Sequence, residues 1–296
     1  MKKDSQLILP RKELRISITS KCNMKCVYCH NEGNEKNSEL NIDEIRKIVE
    51  DATDYGLASV RLTGGEPLMH PEIEDICRML TEKYRLRVGI NTNGILICRL
   101  LPLIRAGLVE RVVIGLDYYN HIISKQSPVG VPSSTILENV LQVKDTGCDV
   151  CIDVVYQDNY ENVANIVCWG ITNRIRVKII EEVKHDIQSI QNPSYELMMQ
   201  KIIKHFGMNC IKDIMDENNG YIGEFCAVSF LHSLCRLRNC EICRQHMPLR
   251  ITASRILKPC IINNTNDIEL YDIGLKNGLE SMLKNYSYKE QSHGNR

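Results

Sequence analysis

The sequence predicts an α/β protein built as an open, partial (βα)6 barrel. Six short β-rich runs alternate with helical patterns over the first two-thirds of the chain. The runs begin roughly 25 to 45 residues apart, the spacing of βα units that crossover helices join into a parallel sheet. Six such units are too few to close an eight-stranded barrel. With 296 residues, 43% hydrophobic and 25% charged, the chain is a globular protein, not a disordered or fibrous one.

The first strand is expected over residues 14–19. A helix over 41–55 follows, with Ile42, Ile45, Ile48, Val49 and Ala52 on one face and Gly56 as its stop. Strands are then expected over 59–63, 87–92, 111–116, 150–156 and 174–180. Helices over 71–84, 97–106, 134–146 and 162–170 separate them. Sites in such folds gather at the C-terminal ends of the strands. Past Glu182 the alternation fades into a helix near 195–206, a polar stretch over 216–220 and a cysteine-rich segment. The polar tail, 285–296, is expected to fray. Residues 1–185 are thus expected to form the barrel and 186–296 a C-terminal extension.

Lys plus Arg and Asp plus Glu both number 37, so the net charge is zero. That argues against binding to nucleic-acid polymers, while leaving room for a local basic pocket. The N-terminal apolar stretch is too short for a signal-peptide core, and no stretch is long enough to span a membrane. The expected location is cytoplasmic. In a reducing compartment, 14 cysteines mean thiols, metal sites or catalysis rather than disulfides. Cys77, Cys98, Cys148, Cys151, Cys168 and Cys210 are scattered singly and read as small buried hydrophobes. The others cluster.

Cys22, Cys26 and Cys29 form C-x3-C-x2-C directly after the first strand. Three thiolates on one loop can hold three irons of a cubane and leave the fourth iron open; a zinc site is the competing reading. Gly64-Gly65-Glu66-Pro67 ends the second strand, Asn91-Thr92-Asn93-Gly94 the third and Gly115-Leu116-Asp117 the fourth. Together these elements resemble the signature of the radical S-adenosylmethionine enzymes. The resemblance implies a [4Fe–4S] cluster on Cys22, Cys26 and Cys29. It implies S-adenosyl-L-methionine held by Gly64, Gly65, Glu66, Pro67, Asn93 and Gly115, with Tyr28 against the adenine or simply packed in the loop. In that family the cluster cleaves S-adenosylmethionine to a 5′-deoxyadenosyl radical, which takes a hydrogen from substrate. No further catalytic residue is identified.

Cys240 and Cys243, followed by Cys260, form C-x2-C-x16-C around a hairpin-like stretch, 248–260. The residues leave open a zinc knuckle with Cys235 as fourth ligand and an auxiliary [4Fe–4S] cluster. Arg250-Ile251-Thr252 and Leu257-Lys258-Pro259-Cys260 are similar to the C-terminal domain of the molybdenum-cofactor GTP 3′,8-cyclase family. The run Leu14 to Cys22 and the run Cys29-His30-Asn31-Glu32-Gly33 are similar to its N-terminal part, most closely its archaeal branch. This resemblance implies a second [4Fe–4S] cluster on Cys240, Cys243 and Cys260. It further implies a nucleotide substrate such as GTP, with cyclisation or rearrangement as the outcome and an electron donor such as flavodoxin or ferredoxin. Arg15, Arg61, Asn91, Lys178 and Arg250 fall at its substrate positions.

The chain also departs from that family. Lys178 stands where Arg is usual, Ser59 and Cys151 replace lysines, Asn91 replaces Thr and Gly115 replaces Ser. The chain closes on His293-Gly294-Asn295-Arg296 rather than Gly-Gly. A thinned basic clamp suggests a paralogue with a less anionic substrate. Radical modification of a peptide or other natural-product precursor is the alternative activity. Oligomeric state is not readable, and a homodimer stays open.

Overall fold

The computed structural model describes residues 7–26, 28–29, 37–119, 131–182, 192–207, 209–210, 220–221, 228–231, 247–260, 264 and 266–290. Six parallel strands lie side by side in chain order: β1 (Glu13–Thr19), β2 (Ser59–Gly64), β3 (Arg87–Thr92), β4 (Arg111–Gly115), β5 (Asp149–Tyr156) and β6 (Arg176–Glu181). Helices α1 (Ile42–Thr53), α2 (Ile73–Arg78), α3 (Ile97–Arg105), α4 (Ser133–Asp145) and α5 (Tyr160–Asn173) connect them, and α6 (Pro193–Phe206) follows β6. The expected alternation is present, and most boundaries agree within a few residues.

Where boundaries differ, local chemistry explains it. The expected strand over 174–180 starts at Arg176 because Arg174, at φ 53°, is the left-handed cap that ends α5. The expected helix over 71–84 breaks into α2 and one π turn, Met79–Lys83. Helix α1 starts at a capping box. Asn41 accepts from the Glu44 N–H at 2.9 Å, and the Glu44 carboxylate accepts from the Asn41 N–H at 2.9 Å.

Six strands fall short of the sheet observed, which has ten among the described residues. A two-residue pair, β7 (Asn209–Cys210) with β8 (Gly220–Tyr221), stands apart from it. β9 (Val228–Leu231) adds parallel to β6, and β10 (Leu249–Ile251) adds parallel to β1. β10 then turns back antiparallel into β11 (Ile256–Lys258), and β12 (Ile268–Glu269) pairs with β11. The 248–260 hairpin therefore forms, as an extension of the main sheet. These strands are two to four residues long, too short to show a period in sequence. Buried Tyr195 on α6 helps hold the far edge. Its hydroxyl donates to the Ile179 carbonyl at 2.8 Å and lies 3.4 Å from that of Leu231.

Strand period 2 divides the sheet into two chemistries. Leu14, Ile16, Ile18, Val60, Leu62, Ile90, Val112, Ile114, Ile152, Val154, Val177 and Ile179 are buried in the core. Burying one such side chain contributes about 1.5–3 kcal/mol. The alternate positions form the opposite face: Glu13, Arg15, Ser17 and Thr19 on β1, Arg61 and Thr63 on β2, Asn91 on β3, and Asp149, Cys151 and Asp153 on β5. A buried parallel sheet usually reads apolar on both faces. Here one face carries charged or polar side chains on β1, β2, β3 and β5, interrupted by buried Val113 on β4, which makes it a candidate floor for a site.

Candidate active site

The loop carrying Cys22, Cys26 and Cys29 leaves the C-terminal end of β1 and is closed at its neck. Ser20 N–H donates to Ser38 O at 2.8 Å, Leu40 N–H to Ile18 O at 2.9 Å, and Thr19 Oγ1 to Glu39 Oε2 at 3.0 Å. The β10–β11 turn braces the returning chain through Ser254 Oγ to Ser38 Oγ at 3.1 Å and Arg255 to the Glu39 carbonyl at 3.2 Å.

Gly64 and Gly65 explain themselves sterically. The backbone after β2 lies so close to the loop that a Cβ on Gly65 would sit 2.2 Å from Lys21 O. One on Gly64, at φ 142°, would sit 2.3 Å from Thr19 O. Close approach permits Gly65 N–H to Thr19 O and Glu66 N–H to Lys21 O, both at 2.8 Å. The Gly-Gly-Glu turn is thereby stitched to the chain entering Cys22.

Glu66 is fully buried, and its carboxylate accepts from Leu68 N–H at 3.0 Å, Thr92 Oγ1 at 2.8 Å and Asn93 N–H at 2.8 Å. Burial pushes its carboxyl upward, and those three donors work the other way. Asn93 then donates to Asn23 Oδ1 at 2.7 Å, which ties the end of β3 to the cysteine loop. Pro67 is buried and begins a single 3-10 turn. Gly115, at the end of β4, is exposed, and a Cβ there would meet only Thr92 O, at 4.0 Å. The floor beneath the loop is open at that point.

The Tyr28 hydroxyl donates to Asp117, whose other oxygen accepts from Val155 N–H at 3.0 Å. Burial first, then Asp117, raises the Tyr28 phenol. Asp117 is pushed up to about 6 by burial, with Asp153 adding to the shift. The Cys26 thiol is pushed up to about 12 by burial and by Asp117, and burial raises Cys22 as well. Cys22 and Cys29 are exposed and Cys26 is half-buried. A cubane takes each thiolate on a different iron, so the three sulfurs need not meet at one point. Among the described residues no three His, Cys, Asp or Glu converge as a single metal ion would require. Three thiols on one braced loop, two exposed and one half-buried, suit the cubane.

Lower on the floor, five strands bring cations together. Arg250 is in register with Arg15, and Arg15 with Arg61; Gly89, Arg111 and Asp149 continue the row. Lys258 of β11 flanks Arg250 and pairs with Asp267. Arg15 and Arg111 both lower the Arg61 guanidinium, after burial, while Glu13 at 3.2 Å raises it. Like charges directly opposite one another destabilise a sheet, and Glu13, Asp149 and Asp267 offset part of that cost here. Four residues at about 3.3 Å each place the row about 13 Å below the cysteine loop. Asn91 lies between these levels, its side-chain oxygen buried with no donor among the described residues. Lys178 is in register with Asp153 and ion-paired to it at 3.0 Å.

Of the expected residues, Cys22, Cys26, Cys29, Tyr28, Gly64, Gly65, Glu66, Pro67, Asn93 and Gly115 gather at the C-terminal ends of β1 to β4. Arg15, Arg61, Asn91, Lys178 and Arg250 line the same polar face. Cys240 and Cys243 lie outside the described residues, as do Cys226, Cys235 and His30; Cys260 follows β11 and is half-buried. Sequence reasoning missed Asp117 as a partner of Tyr28, and Glu13, Asp149 and Asp153 as partners of the cations. Strand parity carried the signal for the last three, since each shares a face with an already suspected residue. Among the described residues no helix is long and apolar enough to cross a membrane.

The sequence matches the radical SAM superfamily over residues 16–169. A "Probable GTP 3′,8-cyclase" of Methanococcus maripaludis is 26% identical over 272 residues, covering 88% of each chain. Its namesake in Methanosarcina acetivorans is 27% identical over 287 residues, covering 92% of this chain and 84% of that one. Among solved structures, Streptococcus suis SuiB bound to its precursor peptide SuiA superposes with a TM-score of 0.65 at 17% identity. That likeness covers 95% of this chain, which spans 65% of the longer SuiB. Native anSMEcpe with bound AdoMet gives 0.66 at 14% identity, over 92% of this chain and 82% of that one. At such identities these structures speak for the fold alone.

Proposed function

The chain belongs to the radical SAM superfamily, and from that premise we propose an enzyme that abstracts hydrogen from a nucleotide lying on the polar floor. The reading rests above all on the Gly64–Gly65–Glu66 turn, stitched at 2.8 Å to the chain entering Cys22. Such a turn fixes a cofactor edge against a cysteine loop with backbone groups alone. Cys22, Cys26 and Cys29 would hold a [4Fe–4S] cluster, which when reduced would supply the electron for splitting the sulfonium of S-adenosylmethionine into methionine and a 5′-deoxyadenosyl radical. Around it, the Gly64 to Pro67 turn receives the methionine amino group. Asn93 and Gly115 border the ribose, and Tyr28, held by Asp117, borders the adenine. Arg15, Arg61, Asn91, Lys178 and Arg250 face the substrate. Residues 1–185 carry the radical step. Residues 186–296 supply a second cluster through Cys240, Cys243 and Cys260. A flavodoxin or ferredoxin in the cytoplasm delivers electrons.

The test mixes anaerobically reconstituted protein with S-adenosylmethionine, dithionite and each of GTP, GDP, GMP and guanosine. 5′-Deoxyadenosine rising above the no-nucleotide background with any of them supports the reading. Deoxyadenosine with no rise from any of them removes the guanine-nucleotide version and favours the peptide or other natural-product alternative. Iron content tests the clusters: about eight irons per chain means two cubanes, about four means one.

A further inference from the structure

We infer that Gln157 is a specificity residue for the cofactor: its side-chain amide donates to a ring nitrogen of the adenine. The inference rests on the cofactor reading above, which sets Tyr28 beside the adenine, and deepens it. Its basis is a buried donor with nothing to donate to. Gln157 Nε2 is shut off from solvent and meets no acceptor among the described residues. The other end of the same amide is fixed, because the Tyr118 hydroxyl donates to Gln157 Oε1 at 2.9 Å. Tyr118 is itself pinned from both sides by Asn162 on α5. Asn162 Nδ2 donates to the Asp117 carbonyl, and Asn162 Oδ1 accepts from Tyr119 N–H at 2.6 Å. A buried donor without an acceptor destabilises the fold. One whose amide is held this firmly is set for an acceptor that arrives with a ligand.

Position says which ligand. Gln157 directly follows β5, at its C-terminal end. The Tyr28 anchor lies on the same stretch: Asp117 accepts from Val155 N–H at 3.0 Å and, on its other oxygen, from the Tyr28 hydroxyl. Val155 and Gln157 are two residues apart, about 7 Å along the chain. The residues that hold Tyr28 and the Gln157 amide, Asp117 and Tyr118, are neighbours in sequence. Gly115, two residues before Asp117, is exposed and leaves the β4 side open. The cation row lies far below, with Asp149 as its β5 member, eight residues before Gln157. An anionic substrate group on that row is out of reach of the amide. Adenine carries acceptor nitrogens in the plane of its ring, which suits a single N–H donor at its edge.

The experiment measures, by calorimetry, how the reconstituted holoenzyme binds S-adenosylmethionine and its 1-deaza, 3-deaza and 7-deaza analogues, with the cluster kept oxidised so that nothing is cleaved. One of the three analogues should bind the wild-type protein about tenfold more weakly than the parent. Gln157→Leu should bind that analogue and the parent equally, within about twofold, because each change removes the same hydrogen bond. A merely structural Gln157 would weaken all four ligands alike and leave the ratio at its wild-type value. Melting gives a second reading. Without S-adenosylmethionine, Gln157→Leu or Gln157→Met should melt no lower than wild type, since the orphaned donor is gone; with it, both should gain less. Three analogues that all bind wild type as tightly as the parent, a ratio unchanged in Gln157→Leu, or lower melting of both variants without ligand overturns the inference and leaves the cofactor reading standing. No binding of S-adenosylmethionine to the wild-type holoenzyme sinks that reading, and the inference with it.

Discussion

The two ends of the polar face hold their residues by different means. At the C-terminal ends of β1 to β4, position is set by main chain: Gly64 and Gly65 pressed on Thr19 and Lys21, and Glu66 held mostly by N–H groups. On the floor below, position is set by side chains paired across strands: Glu13 with Arg61, and Asp149 with Arg111 and Arg176; Asp153 and Lys178 pair in the same way higher up, level with Gly115. Main-chain packing tolerates almost no substitution, because the obstructing atoms cannot rotate away. Charge pairs can be rewritten one residue at a time. The upper end suits a constant task such as holding a cofactor, and the lower end suits a changeable one such as choosing a substrate.

Substitutions can break this contrast. The largest effect is expected from Gly65→Ala, whose Cβ would lie 2.2 Å from Lys21 O and 2.7 Å from Ser20 O. It should cost about 3 kcal/mol or more and lower both thermal stability and iron content. A variant with wild-type melting temperature and full iron loading would show that the turn is not packed as described.

Glu66→Gln comes next. The new amide keeps one acceptor and turns an N–H₂ toward N–H donors, so about 2–3 kcal/mol should be lost. Denaturant unfolding reads this directly, and a loss under about 0.5 kcal/mol would contradict the three-donor arrangement. On the floor, Glu13→Gln should cost only about 1 kcal/mol, because Arg61 keeps a neutral acceptor and some solvent contact. A cost exceeding that of Glu66→Gln would reverse the comparison.

The smallest effect concerns dryness rather than energy. Burial raises the Cys151 thiol to about 11 and the Cys77 thiol to about 12. Each thiolate therefore forms only as pH climbs through those values. At pH 8 both should resist alkylation in the folded protein while exposed Cys98 and Cys168 react. Prompt labelling of Cys151 would mean that the floor is open to water.

Much of the upper end was legible in the chain itself. Cys22, Cys26 and Cys29, the Gly64 to Pro67 turn, and the third and fourth strand ends are contiguous motifs, and a strand followed by a turn fixes their place locally. The six strands were legible because each is five to eight residues long and rich in β-branched residues, most of them alternating and β4 a short continuous apolar run. The edge strands were not: β9 to β12 are two to four residues long and owe their conformation to pairing with a sheet already formed.

By itself, then, the sequence determined the α/β alternation, the cysteine loop and the glycines that let two backbones touch, since those depend on residues near one another in the chain. Tertiary structure alone decided that β10 lies beside β1, that Tyr28 meets Asp117, and that Lys178 is answered by Asp153. Each of those joins residues far apart in the chain. Register between strands, which no single segment encodes, decides whether a cation on the floor faces a ligand or a carboxylate.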